Sequence, residues 1–408
     1  MRPRILVVAY ACEPGAGSES GAGWVWPRML ARIADVWVVT RENNQRAIEA
    51  ALPDVPEREH LRFVYVDVPE RLRFWKRGHR RARLYYLIWQ AMMVREARRI
   101  DSEVGFDAVW HLTMSTVWLG SLAPLLRKPF VFGPVGGGVD TPWRLVAALG
   151  AKGTVHDFGR AAARSAARYA NPLARLAWRR ARLILVQNPN TRDWLPARVR
   201  SRVEVFPHIV LEEATWTQIS PTRLTRLQHH GRVAMYAGRL LPWKGVSLAI
   251  RAVALLPEWQ LLICGDGPDK ARLRDIALNA GVTDRVTFLG PLPRDDLLRL
   301  MREQTDLFLF PSLHDEGGWV IAEALACDLP VVCLNWGGPA VLAGQGVAVG
   351  AMGSTIVALA KAVEAAVADA TQRQRPPMFE ETSRRLSELV ETKVLGSLPR
   401  EKDDLASG

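Results

Sequence analysis

The chain has 408 residues, enough for two or three domains with large buried cores. Its composition is 49% hydrophobic and 24% charged, which excludes a disordered, collagenous or coiled-coil protein. Basic residues outnumber acidic residues by 54 to 42, and the formal net charge of +12 favours polyanionic partners such as nucleic acid, anionic lipid or phosphorylated small molecules.

The cysteines and the apolar runs bear on the compartment. Cys12, Cys264, Cys327 and Cys333 form no Cys-x-x-Cys pair and have no histidine at metal-ligand spacing, so we expect neither a zinc site nor a redox motif, and a reducing cytosol. The short apolar run at the N-terminus lacks a cleavage pattern and predicts a buried strand, not a signal peptide. No run approaches the roughly 18 apolar residues of a membrane span. We therefore expect a cytoplasmic protein with at most peripheral contact at the inner face of the cytoplasmic membrane.

Short β-branched runs alternate with longer helical patterns, which is typical of parallel sheets covered on both faces. The predicted strands of the first half are 5–10, 36–40, 61–68, 107–112, 129–133, 182–188 and 203–207. After a polar stretch the pattern restarts, with predicted strands at 232–238, 259–265, 285–290, 306–312 and 329–335. We therefore predict an α/β protein with two Rossmann-like, doubly wound domains facing a central cleft.

The predicted domain bounds follow from these patterns. They are an N-terminal domain at 1–209, a linker at 210–230, a C-terminal domain at 231–375, a C-terminal helix at 376–398 and a flexible tail at 399–408.

The segment at 311–326 follows an apolar strand and predicts an anion site. Gly317 and Gly318 allow the backbone to approach a ligand closely, and a helix that begins near Trp319 points its N–H groups towards that ligand. Glu323 lies among apolar residues, where a buried carboxylate needs partners that a hydroxyl-rich ligand would supply. The alternative is a glutamate exposed on the polar side of the helix.

Two further segments follow strands in the second half. Arg239 offers a planar fork and Lys244 a mobile charge, a pairing that suits a diphosphate, although two solvated surface cations are the alternative. Gly265 lies in a Gly-Asp-Gly-Pro turn before a helix, which is a weak signal because turn geometry alone favours such glycines.

In their order and spacing, these three segments resemble the donor-binding domain of family 4 glycosyltransferases, which are retaining GT-B enzymes that use nucleotide sugars. The resemblance runs from about 232 to 342. The family has two glutamates eight positions apart, and here Asp315 and Glu323 occupy those places, with Glu316 where glycine is usual. This departure leaves open whether Asp315 or Glu316 faces the donor sugar.

The resemblance implies roles for individual residues. Glu323 would bind the ribose hydroxyls, Arg239 and Lys244 the diphosphate, and the backbone near Gly290 and Leu292 the base. The candidate catalytic residues are Asp315, Glu316, His111, Arg239 and Lys244. The candidate donor-binding residues are Gly15, Gly17, Arg239, Lys244, Gly265, Gly290, Leu292, Gly317, Gly318, Trp319 and Glu323.

The N-terminal half resembles the family more loosely, through residues 9–24 and 132–143. Gly15 and Gly17 follow the first strand and Gly136 and Gly137 follow another, so both loops would face the cleft, unless these are only turn glycines. Glu19, Gly136 and Gly137 are the candidate acceptor-binding residues. Where many members of the family place a histidine, this chain has Gly133 and Pro134, and the nearest substitute is His111, for which a structural role is the alternative.

The basic segment from Arg71 to Arg99 interleaves cations with aromatic residues, which suits an interfacial helix on anionic lipid. The aromatic residues are Phe74, Trp75, Tyr85, Tyr86 and Trp89. A second basic stretch, 160–182, adds positive charge. Nucleic-acid binding and a solvated helix with a packed face are the alternatives. Because no nucleic-acid signature accompanies the segment and the resembled family often uses lipid-linked acceptors, we expect membrane contact and no nucleic acid.

The sequence thus predicts a retaining hexosyltransferase that moves a sugar from a nucleoside diphosphate to an acceptor hydroxyl. By resemblance, the acceptor would be a lipid-linked glycan or polysaccharide in bacterial cell-surface synthesis, and the leaving diphosphate would help to take the acceptor proton. We expect no metal and no cofactor besides the donor substrate. A sugar-nucleotide epimerase or phosphorylase of the GT-B fold, and a non-catalytic polyanion- or membrane-binding protein, are the alternatives.

Overall fold

The computed structural model describes residues 2–69, 71, 82–114, 116–212, 231–368 and 375–396. These residues form two parallel sheets, of seven strands and of five. The strands of the first sheet are β1 Arg4–Val8, β2 Asp35–Thr40, β3 Leu61–Tyr65, β4 Ala108–His111, β5 Phe130–Val135, β6 Ala181–Val186 and β7 Val203–Val205. The strands of the second sheet are β8 Arg232–Ala237, β9 Trp259–Cys264, β10 Val286–Gly290, β11 Leu307–Phe310 and β12 Val331–Cys333. Each overlaps one of the twelve predicted strands.

Helices cover both faces of the sheets. In the N-terminal half they are α1 Ser18–Ala31, α2 Gln45–Ala51, α3 Ala82–Val104, α4 Gly150–Ala170, α5 Pro172–Arg180 and α6 Pro189–Trp194. In the C-terminal half they are α7 Val246–Ala254, α8 Lys270–Asn279, α9 Arg294–Gln304, α10 Trp319–Ala326, α11 Gly337–Ala343, α12 Met352–Ala368 and α13 Phe379–Val390. Short 3-10 turns include Trp143–Leu149 before α4 and Pro242–Lys244 before α7, and a π turn, Glu391–Leu395, follows α13.

Strand β1 shows why the first sheet is buried on both sides. Leu6 and Val8 enter the core on one face, and Ile5 and Val7 enter the core on the other. Because successive side chains of a strand point to opposite faces, an unbroken apolar run suits a sheet that helices cover on both sides. The prediction of two doubly wound α/β domains is confirmed.

The strand order places the loops that matter for function. The first sheet runs β3-β2-β1-β4-β5-β6-β7 and the second runs β10-β9-β8-β11-β12. The order reverses between β1 and β4 in one sheet and between β8 and β11 in the other. Ligands of open parallel sheets bind outside the carboxyl ends of the strands at such points. The loops after β1, β8 and β11 therefore face the cleft.

The C-terminal helix α13 lies on the N-terminal domain. Phe379, Leu386 and Val390 share a core with α1 and the first sheet, and Arg32 on the next turn after α1 forms an ion pair of 2.6 Å with Glu380. Leu211 forms a parallel bridge with Met378, so the two crossings between the domains run side by side. The rest of the predicted linker, 213–230, and the predicted tail at 399–408 lie outside the described residues.

The segment 143–170, inserted between β5 and β6, crosses to the C-terminal domain. Leu145, Ala148 and Leu149 are buried in the core of that domain. The guanidinium of Arg272 donates a hydrogen bond of 3.1 Å to the Ala148 carbonyl, and the ring of His156 stacks on Trp243 at 5.2 Å. This segment belongs to the N-terminal domain in sequence but packs on the C-terminal domain, so it holds the two domains together.

The membrane prediction for the segment from Arg71 to Arg99 needs correction. Tyr85, Tyr86 and Trp89 are at most 1% exposed and pack in the core beneath α3, because the sheet supplies the apolar surface that they cover. They do not form an outward aromatic face. Phe74 and Trp75 lie outside the described residues. No helix within the described ranges is both long and apolar enough to cross a membrane.

Candidate functional site

A cleft of about 830 Å³ opens between the two domains. Its walls include the loops after β1, β4, β5, β6 and β7 and helix α4 on one side, and the loops after β8 and β11 with the start of α10 on the other. Among the predicted site residues it is lined by Gly17, Glu19, Gly136, Gly137, Arg239, Lys244, Asp315, Glu316, Gly317, Gly318, Trp319 and Glu323. Segments far apart in the sequence thus meet at one site.

The start of helix α10 lies at the back of the cleft. Gly318 has a φ of +87°, a left-handed conformation that favours glycine, and it caps the helix. A Cβ at Gly317 would lie only 2.9 Å from Cε1 of His208 in the N-terminal domain. Glycine therefore lets the two domains approach each other here, and it leaves the N-terminal N–H groups of α10 facing the cleft.

Lys244 and Asp315 form an ion pair in the wall of the cleft. Their side chains are 22% and 13% exposed, so the pair is largely shielded from water. Lys244 also lies 5.5 Å from the centre of the Phe310 ring. The chain turns sharply at Gly245, where a Cβ would collide with the Pro311 carbonyl, so the lysine is held against the end of β11. Arg239 is exposed in the same cleft.

Glu323 points from α10 into the cleft and is 7% exposed, so the alternative of a solvated glutamate is wrong. Its Oε1 accepts a hydrogen bond of 2.9 Å from Nε of Arg294 at the start of α9. Burial raises the pKa of the Glu323 carboxyl, and the charge and hydrogen bond of Arg294 only partly offset this. Among the described residues the carboxylate therefore has one charged partner, Arg294, and it faces the cleft.

Glu316 is bound by the opposite domain. Its Oε2 accepts hydrogen bonds of 3.0 Å from the Asn188 amide and from the Thr191 hydroxyl, and its Oε1 accepts one of 3.2 Å from the Val139 N–H. Burial acts to raise the pKa of Glu316, but the hydrogen bond and charge of His314, together with these donors, outweigh it and lower the pKa to about 2. Glu316 is therefore an ionised link between the domains.

His111 does not line the cleft, which corrects the expectation that it contacts the donor. It is 0% exposed, at the end of β4. Its Nδ1 lies 2.9 Å from the Ser121 hydroxyl and its Nε2 lies 3.3 Å from the Tyr86 hydroxyl. Burial lowers the pKa of His111 to about 4. A neutral histidine whose two nitrogens both lie within hydrogen-bond distance of core hydroxyls has a structural role. This is the alternative that the sequence left open for His111.

His208 faces the cleft, and the sequence analysis missed it. It follows β7 and lies with its ring centre 6.5 Å from that of Trp319. Its Nδ1 is buried and has no hydrogen-bond partner within the described part of the chain. Burial lowers the pKa of His208 to about 4, although the charges of Asp315 and Glu316 act against this. The available sequence signal was its position directly after the last strand of the domain.

Two arginines of α4 also line the cleft without having been predicted. Nη1 of Arg160 lies 2.6 Å from Nε2 of His314, and Arg164, which is 3% exposed, forms an ion pair with Asp140. Burial lowers the pKa of Arg164, and the charge of Glu316 acts against that shift. The N-terminal wall thus carries positive charge.

Four predicted donor-binding residues lie outside this cleft. Gly15 lines a small crevice beside it, together with Trp319. The Gly265 N–H donates a hydrogen bond of 2.7 Å to the Gly290 carbonyl, and Leu292 packs on the core of the C-terminal domain. Gly265, Gly290 and Leu292 therefore stabilise the ends of β9 and β10 instead of bounding the cleft. Within the described ranges no group of three or more His, Cys, Asp or Glu side chains could hold a metal ion.

Comparison with known proteins agrees with this picture. Residues 225–384 match the family described as glycosyl transferases group 1. D-inositol 3-phosphate glycosyltransferase of Mycolicibacterium vanbaalenii is 34% identical over 165 residues, which cover 36% of this chain and 36% of that protein. The 2-deoxystreptamine glucosyltransferase of Streptomyces kanamyceticus is 32% identical over 178 residues, which cover 40% of this chain and 45% of that protein. The chain thus matches less than half the length of either relative.

One similar structure spans nearly the whole chain. Anabaena HepE in complex with UDP has a TM-score of 0.56 and 18% identity, and the match covers 97% of this chain and 100% of that one. At this identity the likeness concerns the fold alone. Residues 225–384 are therefore similar to the group 1 glycosyl transferases, and the two domains have the GT-B fold.

Proposed function

We propose that the protein is a retaining hexosyltransferase that moves a sugar from a nucleoside diphosphate to an acceptor hydroxyl. The observation that carries the proposal is the convergence of Lys244, Arg239 and the start of α10 on one cleft. These are three sources of positive potential. A diphosphate is the part of a sugar donor that gains negative charge as its bond to the sugar breaks, so such groups lower the barrier.

Lys244 is the group most directly suited to this task. Its partner Asp315 holds the ammonium in the cleft wall before the donor binds. In a partly dehydrated site, a positioned charge stabilises a developing negative charge without reorganising solvent. Arg239, which is exposed, adds a planar fork that bridges two phosphate oxygens. We expect each of these cations to contribute a few kcal/mol to the barrier reduction.

Of the two neighbouring carboxylates, Asp315 faces the donor sugar and Glu316 is a positioning residue. The Glu316 oxygens are engaged by donors of the N-terminal domain, namely Asn188, Thr191 and the Val139 N–H. Asp315 lies beside Lys244 on the C-terminal wall. This assignment is the one we propose for the question that the family motif leaves open.

The nucleoside binds along α10. Glu323 is the buried carboxylate of the cleft, and its remaining acceptor positions suit the two hydroxyls of a ribose. UDP is the first nucleotide to test, because it is bound to HepE, which has the same fold.

The reaction we propose is a front-face substitution. The bond from the anomeric carbon to the diphosphate oxygen breaks, the acceptor oxygen bonds to the same face of that carbon, and the acceptor proton passes to the leaving diphosphate. The protein orients the reactants and stabilises charge, and it forms no covalent bond to the sugar. Lys244 and Arg239 supply the positive charge, so we propose that a metal ion is dispensable.

The acceptor binds against the N-terminal wall. Glu19, Gly136 and Gly137 line it, and Arg160 and Arg164 lie close by. Both relatives are named for ring compounds with several hydroxyls, an inositol phosphate and a deoxystreptamine. We propose a polyhydroxylated ring as the acceptor, carried on a lipid-linked glycan or polysaccharide of the bacterial cell surface.

The test is turnover of a panel of UDP-, GDP- and ADP-hexoses, with the anomeric configuration of the product read by NMR before mutarotation. With chelator present, the protein should release nucleotide and transfer the sugar to an added glycoside or to water with its configuration retained. Lys244→Ala should abolish turnover, whereas Lys270→Ala, which removes an ion-paired lysine on α8, should not. An inverted product, or equal turnover by the two variants, would contradict the proposal.

A further inference from the structure

Helix α4 has its polar and apolar faces the wrong way round for a surface helix. Its inward positions Gly153, Asp157 and Arg164 are buried, and the last two carry charge. Asp157 is 8% exposed and Arg164 is 3% exposed. A helix on the surface of a globular protein normally turns its apolar stripe inward and its charges outward. In α4 the charges serve the cleft and the domain contacts, which leaves the opposite face for another partner.

The outward face of α4 is an apolar stripe. Its members recur every three or four residues along the helix and are Ala151, Val155, Phe158, Ala162, Ala166 and Tyr169, all exposed. The side chains of Val155, Phe158 and Tyr169 are 75%, 65% and 73% exposed, and Trp143, just before the helix, is 78% exposed. Exposed apolar residues that share one face mark a binding surface, unlike apolar residues scattered singly.

The charge around this stripe is one-sided. Residues 143–182 contain one acidic residue, Asp157, and nine basic residues, which are Arg144, Lys152, Arg160, Arg164, Arg168, Arg175, Arg179, Arg180 and Arg182. Two of the cations lie over the exposed aromatic rings, Arg144 at 5.2 Å from the centre of Trp143 and Arg168 at 5.9 Å from the centre of Tyr169. The partner that complements an apolar stripe among cations is apolar and anionic.

The stripe is too small for a stable contact between two copies of the chain. From Ala151 to Tyr169 it extends about 27 Å at 1.5 Å per residue, and a helix is about 10 Å wide, so its face presents on the order of 300 Å². A specific protein interface buries roughly 800 Å² on each partner. A lipid surface requires less, because each cation near an anionic leaflet adds its own attraction to the burial of apolar side chains.

We propose that the outward face of α4, together with Trp143, docks on the surface of an anionic lipid bilayer. The apolar side chains enter the boundary between headgroups and acyl chains, and Arg144, Lys152 and Arg168 meet the lipid phosphates. This surface takes the place of the segment from Arg71 to Arg99 as the membrane-contacting face, since the aromatic residues of α3 are buried.

The position of α4 connects this surface to the cleft. Arg160 and Arg164 on the inner side of the helix line the cleft, so one helix thickness, about 10 Å, separates the cleft from the docked surface. Resting on the proposed transferase function, this geometry favours an acceptor whose lipid anchor stays in the bilayer while its sugar end reaches the N-terminal wall. The docking itself does not depend on catalysis.

The test is co-sedimentation of the full chain with vesicles of phosphatidylcholine alone and of an equal mixture with phosphatidylglycerol. The wild type should bind the anionic vesicles, and its binding should weaken with added salt. The triple variant Val155→Ser, Phe158→Ser, Tyr169→Ser should bind these vesicles at least about tenfold more weakly, because it lacks the inserted side chains. The pair Arg144→Glu, Lys152→Glu should also lose binding.

The matched control removes exposed apolar residues from the other domain. Leu255, Leu278 and Val357 are 51%, 67% and 45% exposed, and their triple change to serine should leave vesicle binding unaltered. Equal binding by the wild type and the α4 variant, or no binding by the wild type, would overturn the proposal. The proposal would also be overturned if the wild type formed a dimer in the absence of vesicles and the α4 variant were a monomer. Nucleotide binding is measured separately on the same variants. Loss of vesicle binding with nucleotide binding retained concerns the docking surface alone, whereas absence of nucleotide binding in the wild type concerns the proposed function.

Discussion

Thr191 in the N-terminal domain donates a hydrogen bond of 3.0 Å from its hydroxyl to Oε2 of Glu316 in the C-terminal domain. Asn188 donates to the same oxygen, and its amide also reaches the Glu316 carbonyl at 2.9 Å. Nearby, the Gly337 N–H donates a hydrogen bond of 2.9 Å to Oδ1 of Asn190. The two domains are thus joined at the floor of the cleft by hydrogen bonds from α6 and the residues just before it.

Glu316→Gln should loosen this link. A glutamine amide turns an N–H₂ group towards one set of donors, so at least one buried group loses its partner, which costs roughly 1–3 kcal/mol. We expect a lower midpoint of thermal unfolding and, in small-angle scattering, a larger radius of gyration. Glu364→Gln, at an exposed position on α12, is the control and should change neither quantity. An unaltered radius and midpoint for Glu316→Gln would show that the link does not hold the domains together.

Gly317→Ala should impair the cleft without unfolding either domain. A Cβ at this position would lie 2.9 Å from Cε1 of His208 and 3.0 Å from Cδ1 of Ile209, so the domains would have to separate slightly. We expect kcat/KM for sugar transfer to fall at least tenfold, about 1.4 kcal/mol of transition-state stabilisation.

The control for that experiment is Gly353→Ala. Gly353 lies in the first turn of α12, and a Cβ there would have no neighbour within 4 Å. Alanine is the better helix former, so this variant should be at least as stable as the wild type and fully active. If the two alanine variants retained the same kcat/KM, close approach at Gly317 would not matter for the reaction.

Acid should destabilise the protein through His111. Its pKa is about 4 in the folded chain against 6.5 in an ordinary setting, so between these values the unfolded chain binds a proton that the folded chain does not. Stability is therefore retained above about pH 6.5 and falls as the pH drops towards 4, by up to about 3 kcal/mol from this residue. Denaturant titrations from pH 7 to 4 on the wild type and on His111→Gln give the free energy of unfolding of each protein as a function of pH. If the free energy changed equally with pH in both proteins, the low pKa of His111 would be contradicted.

Glu323→Gln should weaken nucleotide binding while leaving the fold intact. The variant keeps the shape of the side chain but loses the charge that attracts Arg294 and the strength of its hydrogen bonds to hydroxyls. A charge-assisted hydrogen bond contributes about 1.5–3 kcal/mol, so we expect a rise in Kd of roughly ten- to 150-fold. Glu303→Gln, at an exposed position on α9, should bind as the wild type does. A Kd for Glu323→Gln within twofold of the wild type would remove Glu323 from the donor site.

The sequence predicted the fold well because the physical signals of the fold are local. Every strand is a largely apolar run, and glycines such as Gly245 and Gly318 mark places where the backbone has a positive φ. Arg239, Lys244 and Glu323 were found for the same reason, since they follow strand ends or interrupt an apolar helix. These features depend only on a few neighbouring residues.

The errors concern facts that depend on packing between distant segments. His111 ends a strand and His208 follows one, and only the assembled sheet decides that the first enters the core and the second faces the cleft. The sequence around Trp89 predicts an interfacial residue, and only the sheet beneath α3 shows that it is buried. Helix α4 reverses the usual rule, because its charged face is needed at the cleft. Such exceptions to local pattern are expected at functional sites.

Binding of a nucleoside diphosphate in the cleft through Lys244 is central to the proposed function. Isothermal titration of the purified chain with UDP, GDP and ADP tests it directly, with Lys244→Ala and the ion-paired control Lys270→Ala titrated alongside. We predict that one nucleotide binds the wild type and the Lys270 variant alike and binds the Lys244 variant at least tenfold more weakly, about 1.4 kcal/mol. No binding of any nucleotide, or equal binding by all three proteins, would contradict the account.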